Sequence, residues 1–243
     1  MFKKIIHDLA QLADPEQAEV LRGFFKTGPG QYGEGDVFRG IKVPVLRQIV
    51  KKYPGLPLAD AEKLLHAPHH EDRMLGLLFL VAAFEKGGPE LRRRIYRLYL
   101  ANTRFINNWD LVDATAPHIV GAYLFDRNRA PLRRLALSGL LWERRIAIVA
   151  TFYCIRRGQF EDTLELAAML LDDKHDLIHK AVGWMLREVG KRDREAEEIF
   201  LRVHCSRMPR TMLRYAIERF PREKRQLYLG GLSAARQRKA VLS

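Results

Sequence analysis

The chain has 243 residues, with 42 Lys and Arg against 29 Asp and Glu, a formal net charge of +13 with neutral histidine. At 47% hydrophobic residues it is too apolar for a disordered chain, and it is long enough to bury a core without disulfides or metals. The longest apolar run, the 11 residues Met74 to Phe84, is about half of what a bilayer-spanning helix requires and reads as a buried core helix.

In chain order, Leu9, Leu12, Val20 and Leu21 mark two helices, with Asp14-Pro15 between them as N-cap and first helical residue. Lys26 to Pro44 then gathers five of the 17 glycines: Gly28, Gly30, Gly33, Gly35 and Gly40. A loop this long in a compact helical protein is usually functional. It holds no GxxxxGK[ST] and no strand precedes it, so a Walker A cradle is excluded. Glu34 and Asp36 would repel phosphate, so no nucleotide cofactor is expected. The loop is expected to pack beside the N-terminal helices and to place Tyr32 near the mouth of a groove.

Beyond the loop the sequence repeats. Arg73, Trp109, Arg145 and Lys180 fall 36, 36 and 35 residues apart, each early in an apolar helix. Each follows another amphipathic helix: 58–67, 89–100, 131–140 and 160–171. A fifth unit fits 210–220, with Pro209 near its start. A helix pair about every 35 residues is the signature of an α-solenoid. The tetratricopeptide pattern of Trp, Leu-Gly and Tyr is absent, which favours a HEAT-like stack. The expected fold is all-α: a single solenoid domain over residues 1–230, about six helix pairs with a basic concave groove. Residues 231–243 read as a flexible basic tail.

In such a stack equivalent positions form a row, here of cations, two tryptophans and one carboxylate. Asp113 follows Trp109 by one turn, and Trp184 follows Lys180. In Phe105-Ile-Asn-Asn-Trp-Asp-Leu-Val-Asp113, Asn107 or Asn108 can cap the helix and Asp110 suits its dipole. Asp113 has no capping duty inside its apolar run. It is either a carboxylate paired with Arg145 or a working group. Arg144 and Arg145 sit at a helix start, the wrong end for a cation, so a phosphate or Asp113 should hold one there. Gly183, inside a helix, lets Trp184 or a neighbouring helix approach closely.

Other chemistry finds little support. His175 and His179 lie one turn apart without an HExxH pattern, and no CxxC or Gly-x-Ser-x-Gly occurs, so no metal and no cofactor are expected. Two cysteines and an N-terminus without a signal-peptide core point to the cytoplasm. The arginine-rich excess of charge suits a polyanion, and the row of cations with tryptophans suits a nucleic-acid backbone.

Three motifs resemble the AlkD-type DNA alkylation-repair glycosylases. They are Asn108-Trp-Asp-Leu-Val-Asp113, Trp142-x-x-Arg145, and Lys180-Ala-Val-Gly-Trp184-Met-Leu-Arg-Glu188. Phe38-Arg-Gly-Ile-Lys-Val-Pro44 followed by Arg47 is similar to that family's Gly-Ile-x-x-Pro segment. The resemblance covers residues 15 to 220 and implies a HEAT-like solenoid. It implies a monofunctional glycosylase that hydrolyses the N-glycosidic bond of 3-methyladenine or 7-methylguanine in duplex DNA without flipping the base. By motif position, Asp113 would be the catalytic carboxylate, and Trp109 and Trp184 would flank the lesion nucleotide. Arg145 would contact the DNA backbone, as would Arg73 and Lys180 from the same row. The family's second-helix tyrosine is Phe24 or Phe25 here, and Phe24 is taken as the DNA contact. A family lysine is replaced by Tyr153, and the segment Gln31 to Asp36 is an insertion. The resemblance also implies a monomer in a bacterial cytoplasm, on the nucleoid when bound to DNA, with no membrane partner. The alternative is a noncatalytic HEAT-repeat binder of damaged or branched DNA.

Overall fold

The computed structural model describes residues 1–230; the predicted basic tail lies outside the described residues. Every regular element among them is helical, and the one extended contact is an isolated parallel bridge between Val37 and His69. The helices cluster into two compact units, one of Met1–Tyr123 and a second beginning at Leu124.

In the first unit, α1 (Phe2–Gln11) buries Ile5 and Leu9, one turn apart. α2 (Pro15–Phe24) starts as the sequence predicts: Asp14 accepts from the Gln17 amide at 3.0 Å, and Pro15 takes the first helical position. After the glycine-rich segment come α3 (Val43–Lys52), α4 (Leu58–Leu65), α5 (His70–Lys86) and α6 (Pro89–Ala101). α5 is the predicted core helix. It is buried around its circumference, and α3, α4, α6 and the segments Trp109–Asp113 and Pro117–Gly121 pack on it. Gly76 sets how close α4 comes, since a Cβ there would meet the Ala61 carbonyl at 2.7 Å.

α7 (Trp109–Asp113) is only five residues long, where the repeat predicts a full second helix. The reason is local. Pro117 has no N–H to return to the Asp113 carbonyl four residues back, so the α-ladder cannot continue. The chain widens into a π-helix, Pro117–Gly121, before α8 (Ala122–Leu124). Turns of this kind recur at functional sites.

The second unit holds α9 (Ala130–Ala136), α10 (Leu141–Ala150), α11 (Phe152–Ile155), α12 (Glu161–Met169), α13 (Asp176–Gly190), α14 (Arg194–His204) and α15 (Arg210–Ala216). The predicted pairs are present: α9 packs on α10 and α12 on α13. The second helices also pack in sequence, α10 on α13 and α13 on α15. Gly183 explains the last contact. A Cβ there would meet the Met212 carbonyl at 2.4 Å and the Tyr215 Cβ at 2.5 Å, so the neighbour that approaches is α15.

Candidate nucleic-acid site

The glycine-rich segment packs on α2 and enters the start of α5. The Asp14 amide donates to the Arg39 carbonyl at 2.8 Å. Gly40, at φ +85°, lies so close to Asp14 and Ala18 that any side chain would clash. The segment's acids are consumed within the protein. Glu34 accepts from the Gly30 amide at 3.0 Å. Asp36 turns inward and takes Arg73 at 2.6 Å and His70 at 2.8 Å.

That contact corrects the expectation for Arg73. Its residue is 5% exposed, and its guanidinium is held by Asp36 and by the carbonyls of Pro68 and Ala67 at 2.8 and 3.4 Å. It is a structural cation, spent on the loop and not available to a phosphate. Its neighbours on α5 are spent likewise. Arg39 forms a fork with Asp72 at 2.6 and 2.9 Å. Glu71 accepts from three backbone amides, those of Arg39, Gly40 and Ile41, at 2.8, 2.8 and 3.1 Å.

Trp109 and Asp113 stand one turn apart on α7, both half-buried. The helix start is fixed from three sides. Asn108, not Asn107, is the cap: its side-chain oxygen accepts from the Trp109 amide at 2.9 Å. Asp110 accepts from His70 Nε2 at 2.9 Å. The Trp109 ring stacks on Phe25 at 5.4 Å and meets the edge of Phe24 at 5.8 Å. Of those two phenylalanines Phe25 is 6% exposed and Phe24 60%, so Phe24 is the one a ligand can touch. The far end of α7 is fixed by Thr115, which donates to the Leu111 carbonyl and bonds the fully buried Tyr99 hydroxyl at 3.0 Å. Burial pushes the Tyr99 phenol far up, and the Asp113 carboxylate adds to the effect. Asp113 thus sits close enough to this pair for its charge to be felt.

A cavity of about 900 Å³ opens in the first unit between α3, α5 and the π-helix. Leu78, Phe79 and Val81 are among its apolar lining, Ala114 next to Asp113 reaches it, and the exposed cations Arg47, Lys51 and Lys86 also line it. The 35-residue row does not reveal these cations. Their signal was local: Arg47 and Lys51 are one turn apart on α3.

In the second unit Trp184 lies half-buried on α13, 5.8 Å from Phe152. Lys180, one turn earlier, pairs with Asp176 at 2.8 Å while remaining partly exposed. Arg145 is 5% exposed and donates to the Leu177 carbonyl at 2.6 Å, tying α10 to α13. The charge of Arg144 at the start of α10 has partners that the sequence did not suggest. Asp173 takes it at 2.6 Å, and the carbonyls of Ser138 and Gly139 take its other side. Tyr153 carries Arg157 on its ring face, 3.5 Å from the centroid.

The family model described as DNA alkylation repair enzyme matches residues 5–220. A solved structure described as a predicted DNA alkylation repair enzyme from Enterococcus faecalis is similar at 16% identity and a TM-score of 0.67. The similarity covers 86% of this chain and 97% of that one. No curated protein matches the chain. The likeness is one of fold, and with the helix pairs above it places the chain among the α-solenoids.

Proposed function

The chain belongs to the family of DNA alkylation repair enzymes, and we propose that it is a monofunctional glycosylase for cationic alkylated purines in duplex DNA. The observation that carries this reading is α7, which opens on Trp109 and closes on Asp113 between two anchored ends. A purine alkylated at N3 or N7 is already a cation, so it leaves without a general acid. What the reaction lacks is an anion beside the oxocarbenium-like sugar and a held water. One carboxylate in the place of Asp113 supplies both. Trp109 in the first unit and Trp184 in the second are each half-buried, and an aromatic face of this kind favours a positive group. Phe24, exposed beside Trp109, adds a contact for the same nucleotide.

Phosphates are assigned to Lys180 and Arg145 in the second unit, Arg145 being the more buried of the two. In the first unit Arg47, Lys51 and Lys86 take the role that Arg73 cannot. The test is incubation of the protein with duplex DNA carrying 7-methylguanine, followed by assay of free base. Release supports the reading. Binding without release is the behaviour of the noncatalytic binder and replaces it.

Affinity in this reading rests on phosphates, since nothing in the sequence resembles a base-reading helix. The logarithm of affinity should fall linearly with that of salt, with a slope of about −0.9 per phosphate neutralised. Lys51→Ala should make the slope shallower by about one such step and weaken all sequences alike. Filter binding across a salt series measures both. Salt-independent binding, or an effect confined to one sequence, counts against the assignment.

A further inference from the structure

The first residues of α5 carry an arrangement that the proposed chemistry does not use. His70 is 3% exposed, and each of its ring nitrogens faces a carboxylate. Nδ1 meets Asp36 of the glycine-rich segment at 2.8 Å, and Nε2 meets Asp110 of α7 at 2.9 Å. The ring lies against Phe38 at 4.7 Å and Phe25 at 4.9 Å, and Phe25 in turn stacks on Trp109.

We propose that His70 is a positioning residue, an imidazolium strap that ties the glycine-rich segment to the first turn of α7 and so holds Trp109 and Asp113 in place. This rests on the reading of α7 given above. The chemistry of the ring is decisive. Two carboxylates can both be satisfied only if both nitrogens donate, and only the charged ring does that. A neutral ring turns a lone pair toward one of them.

The surrounding charges agree. Asp36 is shared with Arg73, which lies on α5 with His70, and accepts from the Asn108 side-chain Nδ2 at 3.5 Å, while Asp110 comes from α7. His69 lies 3.8 Å from Asp72, whose carboxylate belongs to Arg39. His70, Arg73, Asp36 and Asp110 are therefore balanced when His70 is charged, and carry one buried negative charge when it is not. Burial opposes the imidazolium, but the bonds to Asp110 and Asp36 outweigh it and raise the pKa to about 9. The folded value lies above the ordinary 6.5. The strap's stabilisation is thus complete below pH 6.5 and is lost as pH rises through about 9.

The experiment is nuclear magnetic resonance on the full chain with ¹⁵N-labelled histidine and tryptophan. The His70 ring should keep both protons at pH 8, where an ordinary histidine is neutral, and titrate near pH 9. The Trp109 indole signal, assigned by its loss in Trp109→Phe, should move with the same midpoint. In His70→Gln that signal should no longer titrate. Single-turnover base release should fall roughly 10–100-fold, with DNA affinity kept, a split that simple loss of stability does not give. A His70 proton lost near pH 6.5 overturns the proposal, and so does a Trp109 signal that ignores His70. Full release by His70→Gln overturns it as well. Wild-type protein that releases no base defeats the glycosylase reading instead. The coupled titration then still supports the strap, and its absence still overturns it.

Discussion

Asp113→Asn abolishes release of 7-methylguanine while duplex binding persists: this is the result expected if α7 carries the chemistry. The substitution keeps the size and hydrogen-bonding reach of the side chain and removes only its charge. That charge is what steadies an oxocarbenium-like sugar and orients water toward it. Loss of such stabilisation costs on the order of 10²–10³ in rate. The fold should tolerate the change, because α7 is held by Asn108, by Asp110 on His70 and by Thr115, not by Asp113 alone. Binding rests on phosphates and should rise slightly when a carboxylate is neutralised. The same reasoning fixes the substrate range. Cationic 7-methylguanine and 3-methyladenine should be released, whereas uracil and hypoxanthine should stay, because they need a proton that a carboxylate does not supply. Single-turnover release and filter binding on the same preparations measure both halves. An Asp113→Asn protein as active as wild type makes Asp113 a structural residue.

The pairing of helices was legible because it depends on periodicity, and periodicity is written in one dimension. Arg145 and Lys180 mark α10 and α13, as the 35-residue spacing requires. The role of each marked residue was less legible. Arg73 and Lys180 occupy equivalent repeat positions, yet one is buried on Asp36 and the other is partly exposed. The difference comes from a partner 37 residues upstream in an irregular segment, where no period operates. His70 was invisible for the same reason. Its two carboxylates, Asp36 and Asp110, lie 34 and 40 residues away on either side. The glycine-rich segment could be read as a loop from its composition. What it does could not, because its acidic residues look solvated until the cations that meet them are placed. Pro117 was readable in principle: a proline four residues after Asp113 must interrupt the helix that the repeat predicts.

The largest effect on stability is expected from Glu71→Ala. Glu71 is 2% exposed, and its carboxylate closes three backbone amides of the segment before α3. One oxygen accepts from Gly40 and Ile41, both buried, and the other from Arg39. No secondary structure pairs these amides, so the side chain stands in for a strand. Truncation leaves three donors without an acceptor where water does not readily reach, and a buried orphan costs about 1–3 kcal/mol. The segment can relax and recover part of this, so the expected loss is about 3–5 kcal/mol. That is a large share of a stability of about 5–15 kcal/mol. Glu71→Gln should fall between. Its oxygen can keep Gly40 and Ile41, while its amide turns a donor toward the Arg39 N–H and leaves one orphan. The loss should also travel, because the same segment brings Asp36 to His70 and Arg73. Urea denaturation gives the order wild type, Glu71→Gln, Glu71→Ala. Hydrogen exchange should show protection lost first at Arg39, Gly40 and Ile41, and next at α7. A midpoint for Glu71→Ala equal to that of wild type would mean that the segment is held by its aromatic residues, Phe25 and Phe38, and that the carboxylate is incidental.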